Sequence, residues 1–241
     1  MDFNWKDVVE EGVLPGISTP QDYQKNYAKG LAEMYAKLEN LPAPITAPTD
    51  LKELHKLLFE HVSPWAGKFH WKQHLIGGTP GSDPEMRERE LDLLGKQMAM
   101  LAKIETNEQN VIRIAAFYHI RLVTCHVFPD GNGRVTRALC DHYLQTRLQK
   151  QMEQPFEKRP YLDALKASRE NENLAPLANV LSQAWIGLPE KETNLPSPFR
   201  LTPLQMEPLK KSWIEETARK VRWIEKNSRP LPQRTPDPTM G

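Results

Sequence analysis

The stretch His126-Val127-Phe128-Pro129-Asp130-Gly131-Asn132-Gly133-Arg134-Val135-Thr136-Arg137 is the part of this chain densest in chemistry. It holds a histidine whose ordinary pKa suits it to take a proton near neutral pH. Beside it stand a carboxylate, a Gly-Asn-Gly turn and two arginines. Glycines permit positive φ and let the backbone approach a ligand closely. Successive N–H groups in such a turn form an anion nest, and a helix starting there adds unpaired N–H groups and the positive end of its dipole. Arg134 and Arg137 fall on one helix face, and guanidinium forks match phosphate oxygens. Asp130 beside a polyphosphate is a natural ligand for Mg²⁺. Each feature alone has an ordinary explanation. Asp-Gly-Asn-Gly is a common turn, two arginines can be a solvated face, and a single histidine is more often a packed side chain than a base. Their joint spacing points to a triphosphate cradle with a base beside it.

The surrounding pattern predicts how the motif is held. Asn110–Val127 is the most apolar stretch, with few polar positions, and reads as a central buried helix. A second helix is expected from Gly133 or Arg134 to about Gln149, so the motif lies at a helix-to-helix junction. Further helices are expected over Thr19–Asn40, with Thr19 as N-cap and Pro20 at the first position. Others follow over Leu51–Val62 with Asp50 as cap, Pro84–Lys103, Pro160–Ser168, Leu174–Trp185 and Pro208–Asn227. Phe69–Ile76 alternates, is rich in aromatics and is bounded by Gly67 and Gly77-Gly78, so it reads as a short β-hairpin or flap. Thr79–Pro84 reads as a loop.

These readings divide the chain into an N-terminal helical extension with a Pro-rich linker over 1–50 and a core over 51–186. A Pro-rich passage with a C-terminal helix follows over 187–227, and a disordered tail over 228–241. The net charge of +1 gives no argument for nucleic-acid binding. Cys125 and Cys140 are the only cysteines, which predicts buried thiols and no disulfide framework. The start Met1-Asp2-Phe3-Asn4 lacks an apolar leader core, and no stretch reaches the apolar length of a membrane span. A cytoplasmic protein is expected, with export by a route that needs no cleaved signal as the other location. The net basic segment Arg219–Arg234 is read as a solvated tail, or else an export signal.

The motif closely resembles the Fic-domain signature His-Pro-Phe-x-Asp/Glu-Gly-Asn-Gly-Arg-x-x-Arg, departing only at Val127. Ala66-Gly67-Lys68-Phe69 with Ile76-Gly77-Gly78, Ala115-Ala116-Phe117-Tyr118-His119, and Tyr161-Leu162-Asp163-Ala164-Leu165 also resemble parts of that family. The resemblance implies an all-α, Fic-type helical domain with a small β-hairpin flap over the active site. It implies transfer of AMP from ATP to a Ser, Thr or Tyr hydroxyl of a target protein, with release of pyrophosphate. His126 would be the general base and Phe128 the anchor of the loop. Asp130 would hold Mg²⁺, and Gly131, Asn132 and Gly133 would cradle the α-phosphate. Arg134 would meet the β- and γ-phosphates, and Arg137 the γ-phosphate or an inhibitory glutamate. Relatives that transfer phosphate itself carry lysine where Gly133 stands, so nucleotidyl transfer is implied, with UMP a further donor type. The target would dock along the flap around Phe69–Ile76 by strand addition. An inhibitory glutamate could come from an antitoxin protein or from Glu216. Ser168-Arg169-Glu170-Asn171-Glu172-Asn173 matches the inhibitory pattern as a string, but its position reads as coincidence. The competing class is a nucleotide-binding or protein-interaction module without turnover.

Overall fold

The structure, a computed structural model, describes residues 5, 9, 12–72, 75–76, 79–102, 107–171 and 173–187, and seven helices lie wholly among them. They are α1 (Pro20–Leu38), α2 (Pro48–Phe59), α3 (Arg87–Leu101), α4 (Glu108–Cys125), α5 (Asn132–Leu148), α6 (Lys158–Glu170) and α7 (Ala175–Ile186), with α4 the most buried. The expected helix Pro208–Asn227, with Glu216, and the tail lie outside the described residues. Among the described residues, no helix is long and apolar enough to cross a membrane.

The apolar run of α4 buries Val111, Ile112, Ile114, Ala115, Ala116, Tyr118, Leu122 and Val123 on all sides. It starts where Asn107 caps it, its side chain accepting from the Asn110 N–H at 2.9 Å. On one side lies α5, with Tyr118 and Tyr143 rings 5.9 Å apart and Cys140 Sγ reaching the Ala115 carbonyl. Both cysteines are buried free thiols, and burial pushes Cys125 up to about 12. The Tyr118 hydroxyl donates to the Ile45 carbonyl, tying the Pro-rich linker to the core.

Helix α1 begins as its sequence requires, with Thr19 accepting from the Asp22 N–H and Pro20 at the first position. Its Gly30 packs against the Leu57 and Leu58 carbonyls of α2 so closely that a Cβ would lie 2.6 Å from each oxygen. Helix α2 starts earlier than its acidic residue suggested. Pro48 occupies the first turn after Ala47, and Asp50 lies inside that turn, where it faces the positive dipole end and does not cap. Likewise Pro84–Met86 forms a single 3₁₀ turn before α3.

The flap is an antiparallel pair, β1 (Leu75–Ile76) with β2 (Thr79–Pro80), in the register Leu75↔Pro80 and Ile76↔Thr79. The pairing therefore falls later than the alternating Phe69–Ile76 stretch, and Thr79–Pro80 is a strand where a loop was expected. Phe69–Lys72 carries no strand because its polar backbone is taken by the core, as described below. Between the paired residues the sequence is Gly77-Gly78, a composition suited to a two-residue hairpin link.

Candidate active site

Helix α4 ends at His126, whose backbone is left-handed (φ 42, ψ 56) while its N–H still reaches Leu122 O at 3.3 Å. The chain thereby turns out of the helix at the histidine itself. The next two residues go inward: Val127 and Phe128 are buried. Asn132 closes the loop. Its Oδ1 accepts from the Phe128 N–H at 2.9 Å and its Nδ2 donates to the Phe128 carbonyl at 2.7 Å. Both ends of the Asn132 amide are thus spent inside the protein, and only its backbone N–H remains to face a ligand. The side chain serves as a latch, a role the sequence reading did not assign.

Gly131 sits at φ 77 and starts α5. The Arg134 and Val135 N–H groups both bond the Gly131 carbonyl at 2.9 Å. The N–H groups of Asn132 and Gly133 precede any helical acceptor, leaving two donors at the positive end of α5. Gly133 is exposed, and a Cβ there would meet only Arg137 Nη1, at 3.8 Å.

The two arginines take different supports. Arg134 pairs with the Asp130 carboxylate and lies over the Tyr27 and Phe59 rings, 5.1 and 4.9 Å from their centroids. Burial works against its charge, but Asp130 and Tyr27 outweigh it and raise its pKa. Arg137 lies over the Tyr161 ring of α6 at 5.8 Å. Tyr161 in turn shares a hydrogen bond with the buried His119. Burial raises Asp141, one turn on from Arg137, to about 7, with the arginine opposing it. The structure thus gathers His126, Asp130, Gly131, Asn132, Gly133, Arg134 and Arg137 at one helix junction. A void of about 10 Å³ behind the loop, lined in part by Leu51, Phe128 and Asn132, has room for no more than a water.

The flap is fastened to this junction from both ends. The His70 N–H donates to the Val127 carbonyl at 2.8 Å. The buried Arg87 guanidinium clamps the His70 carbonyl and, at 2.8 Å, that of Lys72. On the far side, the Ser82 N–H reaches Thr124 O at 3.1 Å, and Arg169 Nη1 donates to Ile76 O at 3.0 Å. Gly81 permits the closest approach: a Cβ there would lie 3.1 Å from Ile76 Cδ1 and 3.4 Å from His126 Cβ. The paired strands therefore stand beside the candidate base. Trp71 projects outward, 74% exposed.

The string Ser168–Asn173 has a packing explanation. The buried Ser168 hydroxyl accepts from the Leu177 N–H at 3.0 Å, fixing the start of α7, and Arg169 serves the flap. Away from the junction, Glu33, Glu60 and His61 bring ligand atoms within 4.8 Å of one another. Lys29 and Lys56 already pair with those carboxylates, which makes the group an ion-pair network.

Sequence reasoning missed Tyr27, Arg87 and His55. Tyr27 and Arg87 gave no local signal, because their roles rest on Arg134 and on the His70 and Lys72 carbonyls, far away in sequence. His55 gave a faint signal, a histidine inside the stripe Leu51, Leu54, Leu58.

Residues 44–144 match the model of the Fic/DOC family. Over 97 residues the chain is 34% identical to the protein adenylyltransferase Fic of Drosophila grimshawi, a span of 39% of this chain and 19% of that relative. It is 32% identical over 101 residues to the protein of the same name from Nematostella vectensis, covering 22% of it. The chain thus spans about a fifth of the length of these curated relatives. Among solved structures, it resembles the N-terminal Fic domain of a cell filamentation protein, a VirB-translocated effector of Bartonella quintana. The TM-score is 0.58 at 18% identity, over 71% of this chain and 86% of that one. It also resembles BepC of Bartonella tribocorum with bound AMPPNP, at TM-score 0.55 and 18% identity, over 74% and 92% of the two chains. These structural likenesses show a shared helical fold.

Proposed function

With residues 44–144 identified as a Fic/DOC-family domain, we propose that this protein is a protein adenylyltransferase, moving AMP from ATP to a Ser, Thr or Tyr hydroxyl of a target protein. The observation that carries the reading is the α4–α5 junction. It joins a histidine at a helix end, two open N–H donors at a helix start and two arginines held on aromatic rings.

In this reading His126 accepts the proton of the attacking hydroxyl. The hydroxyl oxygen bonds the α-phosphorus, the bond from that phosphorus to the bridging oxygen breaks, and pyrophosphate leaves with the electron pair. The N–H groups of Asn132 and Gly133, at the dipole end of α5, stabilise the charge that grows on the α-phosphate. Arg134 and Arg137 hold the β- and γ-phosphates. Asp130, about one-third exposed, fits a Mg²⁺ site of one carboxylate completed by phosphate oxygens. Bound there, the ion would neutralise phosphate charge. In the free protein Asp130 instead neutralises Arg134, so nucleotide binding exchanges one ion pair for two without leaving a charge buried alone.

The flap supports a protein acceptor, since an extended segment adds to such an edge through its backbone. The protein is proposed to act in the cytoplasm. Export into a host cell is the second reading, because the Bartonella neighbours are named as translocated effectors. An inhibitory glutamate, from Glu216 or an antitoxin partner, would compete with the γ-phosphate for Arg137.

The test is incubation of the full chain with Mg²⁺ and either α- or γ-labelled ATP in lysate. The α-label should pass to protein, the γ-label should not, and His126→Ala should lower transfer by roughly 10²–10⁴-fold. Glu216→Gly should label more strongly if self-inhibition operates. Transfer of the γ-label, or equal α-labelling by wild type and His126→Ala, would overturn the reading.

A further inference from the structure

His55 stands in the middle of α2, 0% exposed, with both ring nitrogens in use. The Gly67 backbone N–H donates to its Nδ1 at 2.9 Å. An N–H can only donate, so Nδ1 must be the bare nitrogen, and a neutral ring then carries its proton on Nε2. That Nε2–H donates to the Asp130 carbonyl at 3.1 Å. The Gly67 N–H on Nδ1 thus fixes the neutral tautomer, and burial disfavours a charged ring in the same place. The ring itself is held flat on Phe128, with centroids 3.8 Å apart and planes 4° from parallel. Phe59 and Trp65 close its other sides, at 4.8 and 5.7 Å.

Each hydrogen bond reaches a different working segment. Gly67 is the root of the flap, left-handed at φ 73 and so close to α2 that a Cβ would lie 2.8 Å from Lys56 Cβ. Asp130 is the candidate metal ligand. The peptide plane is rigid, so holding the Asp130 oxygen also fixes the direction of the Gly131 N–H across the same bond. We propose that His55 is a positioning residue that couples the flap root to the Asp130–Gly131 peptide, so that target docking and nucleotide binding share one support. This rests on the adenylyltransferase reading for its consequence, though not for its geometry.

The two bonds can be separated by substitution. In His55→Asn the amide oxygen takes the place of Nδ1, and the Gly67 bond is kept while the Asp130 bond is lost. In His55→Gln the amide nitrogen takes the place of Nε2, and the Asp130 bond is kept while the Gly67 bond is lost. Both variants lose the stack on Phe128 equally, which controls for packing. Two signals are read on the full chain: affinity for AMPPNP in the presence of Mg²⁺, and amide hydrogen exchange of the Gly67 N–H and of residues 130–133.

His55→Asn should weaken AMPPNP binding about tenfold and speed exchange at 130–133, with Gly67 still protected. This is the size of one net buried hydrogen bond. His55→Gln should leave AMPPNP affinity within about threefold of wild type and deprotect Gly67. Loss of both signals in both variants would show a packing residue only and overturn the coupling, as would retention of both. If wild type itself binds no AMPPNP, the adenylyltransferase reading fails. The exchange pattern alone then decides the coupling, supported by crossed losses and refuted by parallel ones.

Discussion

Replacing Gly131 by alanine should damage both the fold and the cradle, by an amount that can be worked out against an internal control. Gly131 is left-handed at φ 77, which costs an L-residue about 1 kcal/mol. A Cβ there would also lie 2.8 Å from Phe59 Cζ and closer still to Cε2. Ordinary carbon contacts need about 3.5–4.0 Å, so ring or loop must move by about 1 Å. Phe59 has no free space to enter. It is 0% exposed, packed on His55 and Trp65 at 4.8 Å and beneath the Arg134 guanidinium at 4.9 Å. Overpacking of this kind costs about 1–3 kcal/mol, so the total is about 2–4 kcal/mol. Gly16 supplies the control, left-handed at φ 94 with nothing within 4 Å of its would-be Cβ. Gly16→Ala should therefore cost about 1 kcal/mol, the backbone term alone. Urea unfolding of both variants reads the difference, and AMPPNP binding reads its consequence, since a displaced Phe59 ring takes the support from under Arg134. Equal destabilisation of the two variants, within about 0.5 kcal/mol, would refute the clash.

Tyr118→Phe removes the donor to the Ile45 carbonyl in a fully buried place, so it should destabilise by about 1–3 kcal/mol with AMPPNP affinity unchanged; denaturant midpoints and calorimetry check both halves. The buried His119, which burial holds at about 3, gives a pH signature. Its folded pKa lies below the unfolded value near 6.5, so the unfolded chain binds more protons between those values and stability falls as pH drops from about 6.5 to about 3. His55 acts in the same sense, whereas Asp141, raised to about 7, stabilises as pH falls. The comparison that isolates His119 is His119→Gln, whose stability should fall less steeply by about 1.4 kcal/mol per pH unit over pH 4–6. Parallel curves would contradict the neutral assignment.

What the sequence disclosed is what local chemistry encodes. Thr19 with Pro20, the all-round apolar α4 and the Gly-Asn-Gly junction each depend on residues within a few positions, and they fold as composed. The hairpin was found but misplaced. Alternation in Phe69–Ile76 reads as a strand only if its backbone is free to pair, and Val127 and Arg87 occupy the His70 and Lys72 groups instead. Those partners come from α3 and the motif loop, so no window around the flap reveals them. His55 was hidden for the same reason, since its two partners lie 12 and 75 residues away.

The departure at Val127 shows how such long-range ties qualify a motif. A signature with proline there differs from this chain in one N–H and in side-chain shape. The tie from the motif to the flap at this position runs through the Val127 carbonyl, which proline also offers, so the exchange leaves the bond from His70 intact. The side chain points inward and is 5% exposed, where an aliphatic group of either shape fills the same apolar ground. Asn132 is the reverse case. It matches the signature, yet its side chain is consumed in closing the loop from Phe128. Matching a motif position therefore fixes a residue's place without fixing which of its atoms meets the ligand. In the proposed reading, the donors that Gly131–Gly133 offer a ligand are backbone N–H groups, and the Asn132 side chain holds that backbone still.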